Sequence, residues 1–149
     1  MTLTRREALG LTAGAAAFLT FGSHLAFAAA EETAAAISAF TGGKEPATGK
    51  ITLDAPEIAE NGNTVPVGVS VESPMTADNY VESVMILAEG NPNPQVATFH
   101  FTLMSGAAEA KTRIRLAKTQ NVVAIAKMSD GSTYIDKKEV KVTIGGCGG

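Results

Sequence analysis

From Gly49 to Ile144 apolar residues return at every second position, in short runs broken by turn residues roughly every ten positions. Alternation of that period sends successive side chains to opposite faces, so each run buries one face and wets the other, as strands of an antiparallel sheet do. The clearest run sets Val65, Val67, Val69 and Val71 against Pro66, Gly68, Ser70 and Glu72, behind a turn signal at Asn61-Gly62-Asn63. Pro66 has no N–H for a ladder, which predicts a sheet edge or a bulge there.

Further strands are expected over Tyr80 to Leu87, Val96 to Met104, Thr112 to Ala117, Asn121 to Met128 and Ser132 to Ile144. The last two read as a hairpin across Asp130-Gly131, with Val140, Val142 and Ile144 facing inward. "EGNPNPQ" reads as a loop between the middle strands. Short strands with frequent turns and no intervening helices predict an all-β chain, an immunoglobulin-like antiparallel β-sandwich without the disulfide; a small barrel is the alternative. Met75, Met85, Met104 and Met128 read as core filler.

Two segments precede the strands. Residues 1–30 carry a twin arginine, Arg5 and Arg6, then an apolar, Ala- and Gly-rich run ending in small-residue cleavage candidates. That run is weakly apolar for a membrane span, and the segment reads as a cleaved twin-arginine export signal, which places the mature protein in the periplasm and off the membrane. Next, "EETAAAISAFTGG" reads as a short N-terminal helix, with Ile37 and Phe40 on one face, acids at its start and Gly42-Gly43 as its stop. Removing residues 1–30 takes Arg5, Arg6 and Glu7 from the twelve basic and fifteen acidic residues, leaving a formal charge of −4. No basic stripe or aromatic ladder is present, so nucleic acid is not an expected partner.

The chain ends "VTIGGCGG", and Cys147 is its single cysteine. In an oxidising compartment an unpaired thiol must stay free, pair between chains or carry a ligand. Gly145, Gly146, Gly148 and Gly149 lack Cβ atoms, which predicts a slender, flexible arm over residues 145–149 beyond a domain spanning residues 31–144. Extended, Ile144 to Cys147 covers roughly 10 Å at about 3.4 Å per residue, enough to carry a thiol into a narrow active site. A thiolate forms S–S bonds and releases them by attack at sulfur. No Lys, Arg or His lies in the tail to promote ionisation, so the sulfur reads as a carrying atom rather than a catalyst.

This ending, on an exported all-β domain with a leading alanine-rich helix, resembles the SoxY family of carrier proteins from bacterial thiosulfate oxidation. The resemblance implies that Cys147 bears sulfur intermediates covalently on an arm made by Gly145, Gly146, Gly148 and Gly149. It implies a heterodimer with a SoxZ-like subunit. It also implies transient visits from a c-type haem enzyme that joins thiosulfate to the thiol, a metal-dependent hydrolase that releases sulfate, and a sulfane dehydrogenase. The carrier itself is expected to need no cofactor or metal and to catalyse nothing alone.

Other classes fit less well. Thiocarboxylate carriers of the β-grasp type also end in Gly-Gly, but they are shorter and carry no export signal. A blue-copper site needs two histidines, yet His24 falls in the signal and His100 reads as an edge or surface residue. No C-x-x-C and no phosphate-binding glycine loop follows a strand, and Glu31-Glu32 and Lys137-Lys138 read as solvated surface. The alternative that shares the same sulfur is an exported interaction protein using Cys147 for intermolecular disulfide crosslinking.

Overall fold

The computed structural model describes residues 30–146. Residues 30–41 form a helix, α1. The strands are β1 (Ala47–Thr48), β2 (Ile51–Asp54), β3 (Ile58–Asn61), β4 (Val65–Val71), β5 (Val81–Ala88), β6 (Gln95–His100), β7 (Ala108–Ile114), β8 (Gln120–Met128) and β9 (Thr133–Ile144). One sheet has the order β1-β9-β8-β5-β6, with β3 added along β9; the other is β2-β4-β7. The two sheets enclose the core expected of an immunoglobulin-like sandwich. Pairing is antiparallel except for β1 and β3, which both run parallel to β9.

The alternation in β4 does what its sequence predicts. Val65, Val67, Val69 and Val71 are buried, while Pro66 and Ser70 are exposed. Although β4 is central, β2 reaches only as far as Gly68, so Pro66 lies where β4 has β7 as its one sheet neighbour. The missing N–H therefore removes no two-sided ladder position.

β5 and β8 are buried on both faces, because each face has its own cover. Val84, Ile86, Ala88, Val122, Ala124 and Ala126 join the core between the sheets. Met85, Leu87, Val123 and Ile125 point the other way and are covered by Ala36, Ile37 and Phe40 of α1. The helix stops at Gly42 (φ 67°) and Gly43 (φ 79°), left-handed positions that glycine adopts without a Cβ penalty, and the Gly43 N–H reaches back to the Ser38 carbonyl at 2.8 Å. Glycine at those two positions sets where the helical face ends.

Four expectations are corrected. The strand expected to run to Met104 ends at His100, because the Thr102 hydroxyl caps a 3-10 turn, Leu103–Ser105, while the Ser105 hydroxyl accepts from the Thr102 N–H. Met104 rides on that turn and is 93% exposed, so it is not core filler, unlike buried Met75, Met85 and Met128. The strand expected at Thr112 to Ala117 is β7, Ala108–Ile114, held in register by β4 from Val71↔Ala108 to Val65↔Ile114. Finally, Val140 is buried but Val142 is half-buried and Ile144 is 67% exposed. β9 pairs with β8 from Thr133 to Val140 and with β3 from Lys141 to Ile144, so the change of neighbour ends its inward face.

Candidate functional site

β9 carries the chain to the end of the sandwich where the β3–β4 turn, the β5–β6 loop and the β7–β8 loop meet. Of the terminal motif, Gly145 and Gly146 lie among the described residues; Cys147, Gly148 and Gly149 lie outside them, as do Arg5 and Arg6. The sequence reading assigned Gly145 and Gly146 to a flexible arm. In the structure Gly146 is buried against the domain, and Gly145, though exposed, runs close to the Ala117 carbonyl.

Three backbone hydrogen bonds tie this end of the chain down. The Gly62 N–H donates to the Ile144 carbonyl at 2.7 Å, the Leu116 N–H to the Gly62 carbonyl at 2.8 Å, and the Gly146 N–H to the Leu116 carbonyl at 2.9 Å. Strand pairing of Asn61 with Ile144 continues directly into this triangle. The Asn61 side chain accepts from the Asn63 N–H at 2.9 Å, an Asx turn that bends the chain through Gly62.

Glycine is required here for closeness. A Cβ on Gly62 would stand 2.3 Å from the Leu116 carbonyl oxygen and 2.7 Å from the Gly146 nitrogen. One on Gly145 would meet the Ala117 carbonyl oxygen at 2.2 Å, and one on Gly146 the Gly62 carbonyl oxygen at 2.8 Å. No real Cβ contact is that short, so three chain segments touch backbone to backbone where side chains would hold them apart.

Leu116 is fixed from behind by a buried amide pair. Asn91, 2% exposed, donates from Nδ2 to the Arg115 carbonyl at 2.7 Å and accepts at Oδ1 from the Ala117 N–H at 3.0 Å. Its neighbour Gln120, 7% exposed, donates to Asn91 Oδ1 at 2.8 Å and accepts from the Gly90 N–H at 2.7 Å. Every bond reaches the backbone on either side of Leu116 or the loop that carries Asn91. Thr119 adds a bond to the Val142 N–H at 2.9 Å, joining the same loop to β9 beyond the end of β8 pairing.

The surface around this junction mixes charge and apolar area. Arg115 and Lys118 are exposed on the loop that flanks Leu116. Ile58 (59% exposed) and Ile144 sit on the paired strands β3 and β9 just before it. His100 is exposed at the end of β6, a sheet edge, as expected from its alternation with Phe99 and Phe101. Among the described residues no three His, Cys, Asp or Glu side chains gather as a metal site would need. Gly62, Asn91, Leu116 and Gln120 were not singled out in the sequence. Asn61-Gly62-Asn63 signalled only a turn and "EGNPNPQ" only a loop, while Leu116 and Gln120 carry no local signal.

The described residues define an immunoglobulin-like sandwich whose last strand leads into a glycine pair tied to the β3–β4 turn and the β7–β8 loop. The family model for the sulfur oxidation protein SoxY matches residues 37–147, and the chain belongs to that family. The structure of the sulfur carrier protein SoxY from Chlorobium limicola f thiosulfatophilum is similar, with 36% identity, a TM-score of 0.62, and coverage of 77% of this chain and 99% of that one. A superoxide reductase (neelaredoxin) variant from Ignicoccus hospitalis aligns at 25% identity and TM-score 0.57 over 64% of this chain and 82% of its own. A putative superoxide reductase from Thermotoga maritima shares the fold at 16% identity and TM-score 0.53, over 69% and 89% of the two chains. A search of curated protein sequences finds no match.

Proposed function

We propose that this protein is a non-catalytic carrier of sulfur oxidation that holds its intermediates covalently on the Cys147 thiol and presents them to separate enzymes. The observation that carries the reading is the course of β9. It runs from the core to the end of the sandwich and ends at Ile144, and the Gly146 that follows is hydrogen-bonded to the Leu116 carbonyl, which brings the ordered chain to within one residue of its single thiol. The family match extends through residue 147, which supports assigning the carrier role to that cysteine.

Loading joins the Cys147 thiolate to the outer sulfur of thiosulfate, forming one S–S bond and releasing two electrons. A haem enzyme of the c type accepts those electrons. Water then attacks the terminal sulfonate sulfur at a hydrolase: sulfate and two protons leave, and a persulfide remains on the cysteine. A sulfane dehydrogenase oxidises that remaining sulfur with three waters to a sulfonate still bonded to Cys147, six protons leaving and six electrons passing to the dehydrogenase's own electron acceptor, and a second hydrolysis releases sulfate and restores the thiol. Holding the intermediate on a tether raises its local concentration at each docked enzyme. In the same reading a SoxZ-like subunit completes a heterodimer, and Arg5-Arg6 directs export to the periplasm by the twin-arginine route.

The test incubates the reduced protein with thiosulfate and the haem enzyme and measures the mass of the C-terminal peptide. A thiosulfate adduct on Cys147, absent in Cys147→Ser with its melting temperature within a few degrees of the parent, is the expected result. Disulfide-linked dimers with no sulfur adduct would instead establish the crosslinking role and overturn the carrier reading.

A further inference from the structure

The hydrogen bond and burial that hold Gly146 on the domain limit how far the next residue can go. Consecutive Cα atoms are about 3.8 Å apart, so with Gly146 held the Cys147 sulfur stays within roughly 7 Å of the Gly146 Cα. If the bonds at Gly62 and Leu116 open back to Ile144, two more residues become free and add roughly 7 Å of reach. The same terminus therefore has a short-reach and a long-reach form, separated by a few backbone hydrogen bonds.

We infer that Gly62 and the Leu116 backbone form a latch that parks the root of the carrier arm, and that Gly62 is a positioning residue whose release lets Cys147 enter an enzyme channel. The inference rests on the carrier reading for its functional half and on the hydrogen bonds alone for its structural half. Two observations set Gly62 apart from a glycine needed for its own turn. Its φ lies outside the left-handed region, so alanine meets no backbone strain there. The atoms a Cβ would strike are the Leu116 carbonyl oxygen at 2.3 Å, the Gly146 nitrogen at 2.7 Å and Val142 Cγ1 at 2.9 Å, which are the latch itself and the strand leading to it. Gly145 reports on the latch from the other side, because its Cβ would strike the Ala117 carbonyl oxygen at 2.2 Å.

Opening is local. The Gly62, Leu116 and Gly146 bonds lie beyond the β8 pairing of β9, which ends at Val140, so the arm root can lift without unzipping the hairpin. An enzyme whose active site accepts only the long-reach form binds a fraction of the carrier, and its apparent affinity falls by that fraction. Unlatching variants remove that penalty.

The experiments use the full-length mature chain in two reduced samples: one carries a spin label on Cys147, the single cysteine and so the single attachment point, for the motion readout, and the other keeps the thiol free for exchange and loading. In the parent protein the Gly146 amide is expected to exchange with deuterium at least tenfold more slowly than an unstructured peptide. In Gly62→Ala and in Gly145→Ala, that protection is lost and the label tumbles faster. With the haem enzyme and thiosulfate, unlatching lowers the KM for the carrier severalfold, with the effect falling on KM rather than kcat. An unprotected Gly146 amide in the parent overturns the latch whether or not either variant folds. Faster label motion with an unchanged or raised KM overturns parking. If the parent forms no adduct at all, the carrier reading fails, while exchange and label motion still decide whether the latch exists.

Discussion

Replacing Asn91 with leucine tests the claim that a buried amide fixes the loop beneath the terminal glycines. Leucine keeps the branching and the number of heavy atoms of asparagine but has bulkier ends, so the change removes polarity without opening a cavity. It abolishes the 2.7 Å bond to the Arg115 carbonyl, the 3.0 Å bond from the Ala117 N–H and the 2.8 Å bond from Gln120. Two backbone groups then lose their partner in a site that is 2% exposed at its centre, while Gln120 keeps its bond to the Lys118 carbonyl. At about 1–2 kcal/mol for each stranded backbone group, the lower part of the usual range because both bonds are only part-buried, and roughly 1 kcal/mol for the amide pair, the expected loss is about 3–5 kcal/mol. That is a large share of the roughly 5–15 kcal/mol that holds a domain folded. For a domain of this size about 4 °C of melting temperature follows each kcal/mol, so Asn91→Leu should melt about 12–20 °C lower. Urea unfolding with an unchanged m-value measures the same loss. Asn93→Ala, two residues away and exposed, is the control and should fall within about 0.5 kcal/mol of the parent. A loss under about 1 kcal/mol for Asn91→Leu would refute the argument, because water would then be satisfying the groups that the fold excludes from it.

Met85→Ala should cost about 2–5 kcal/mol in denaturant unfolding, since Met85 is 2% exposed beneath α1; Met104→Ala, 93% exposed on the 3-10 turn, should change stability by less than about 0.5 kcal/mol, and similar losses for the two would contradict the ending of β6 at His100. Asp130 accepts from both the hydroxyl and the backbone N–H of Ser132, which hold its carboxyl below the usual aspartate range. Its contribution is complete above the ordinary aspartate pKa and lost as pH falls through the lower folded-state value, below about pH 4. Ser132→Ala should move the Asp130 titration upward in a carboxyl NMR experiment, and superimposable curves would show that the turn bonds are not its cause.

The alternation in Val65–Val71 and the turn at Asp130-Gly131 were legible because each depends on near neighbours alone. β7 was placed several residues late because Ala108 and Ala110 give weak alternation, and the pairing that selects them comes from β4, some forty positions earlier in the chain. Ile144 was expected inward because period two takes no account of a change of partner, and β9 trades β8 for β3 at Lys141. The glycines of the C-terminal motif were read for their freedom. The placement of Gly145 and Gly146 depends on Gly62 and on the carbonyls of Leu116 and Ala117, none of which a terminal sequence can name.

The triangle at Gly62, Leu116 and Gly146 draws on three remote stretches of chain, so no fragment shorter than nearly the whole domain can assemble it. A nascent or partly folded polypeptide exposes its cysteine on a loose end like any other. Only a finished molecule pins Gly146, the residue before it, to the Leu116 carbonyl, so the geometry at Gly146 doubles as a certificate that folding is complete.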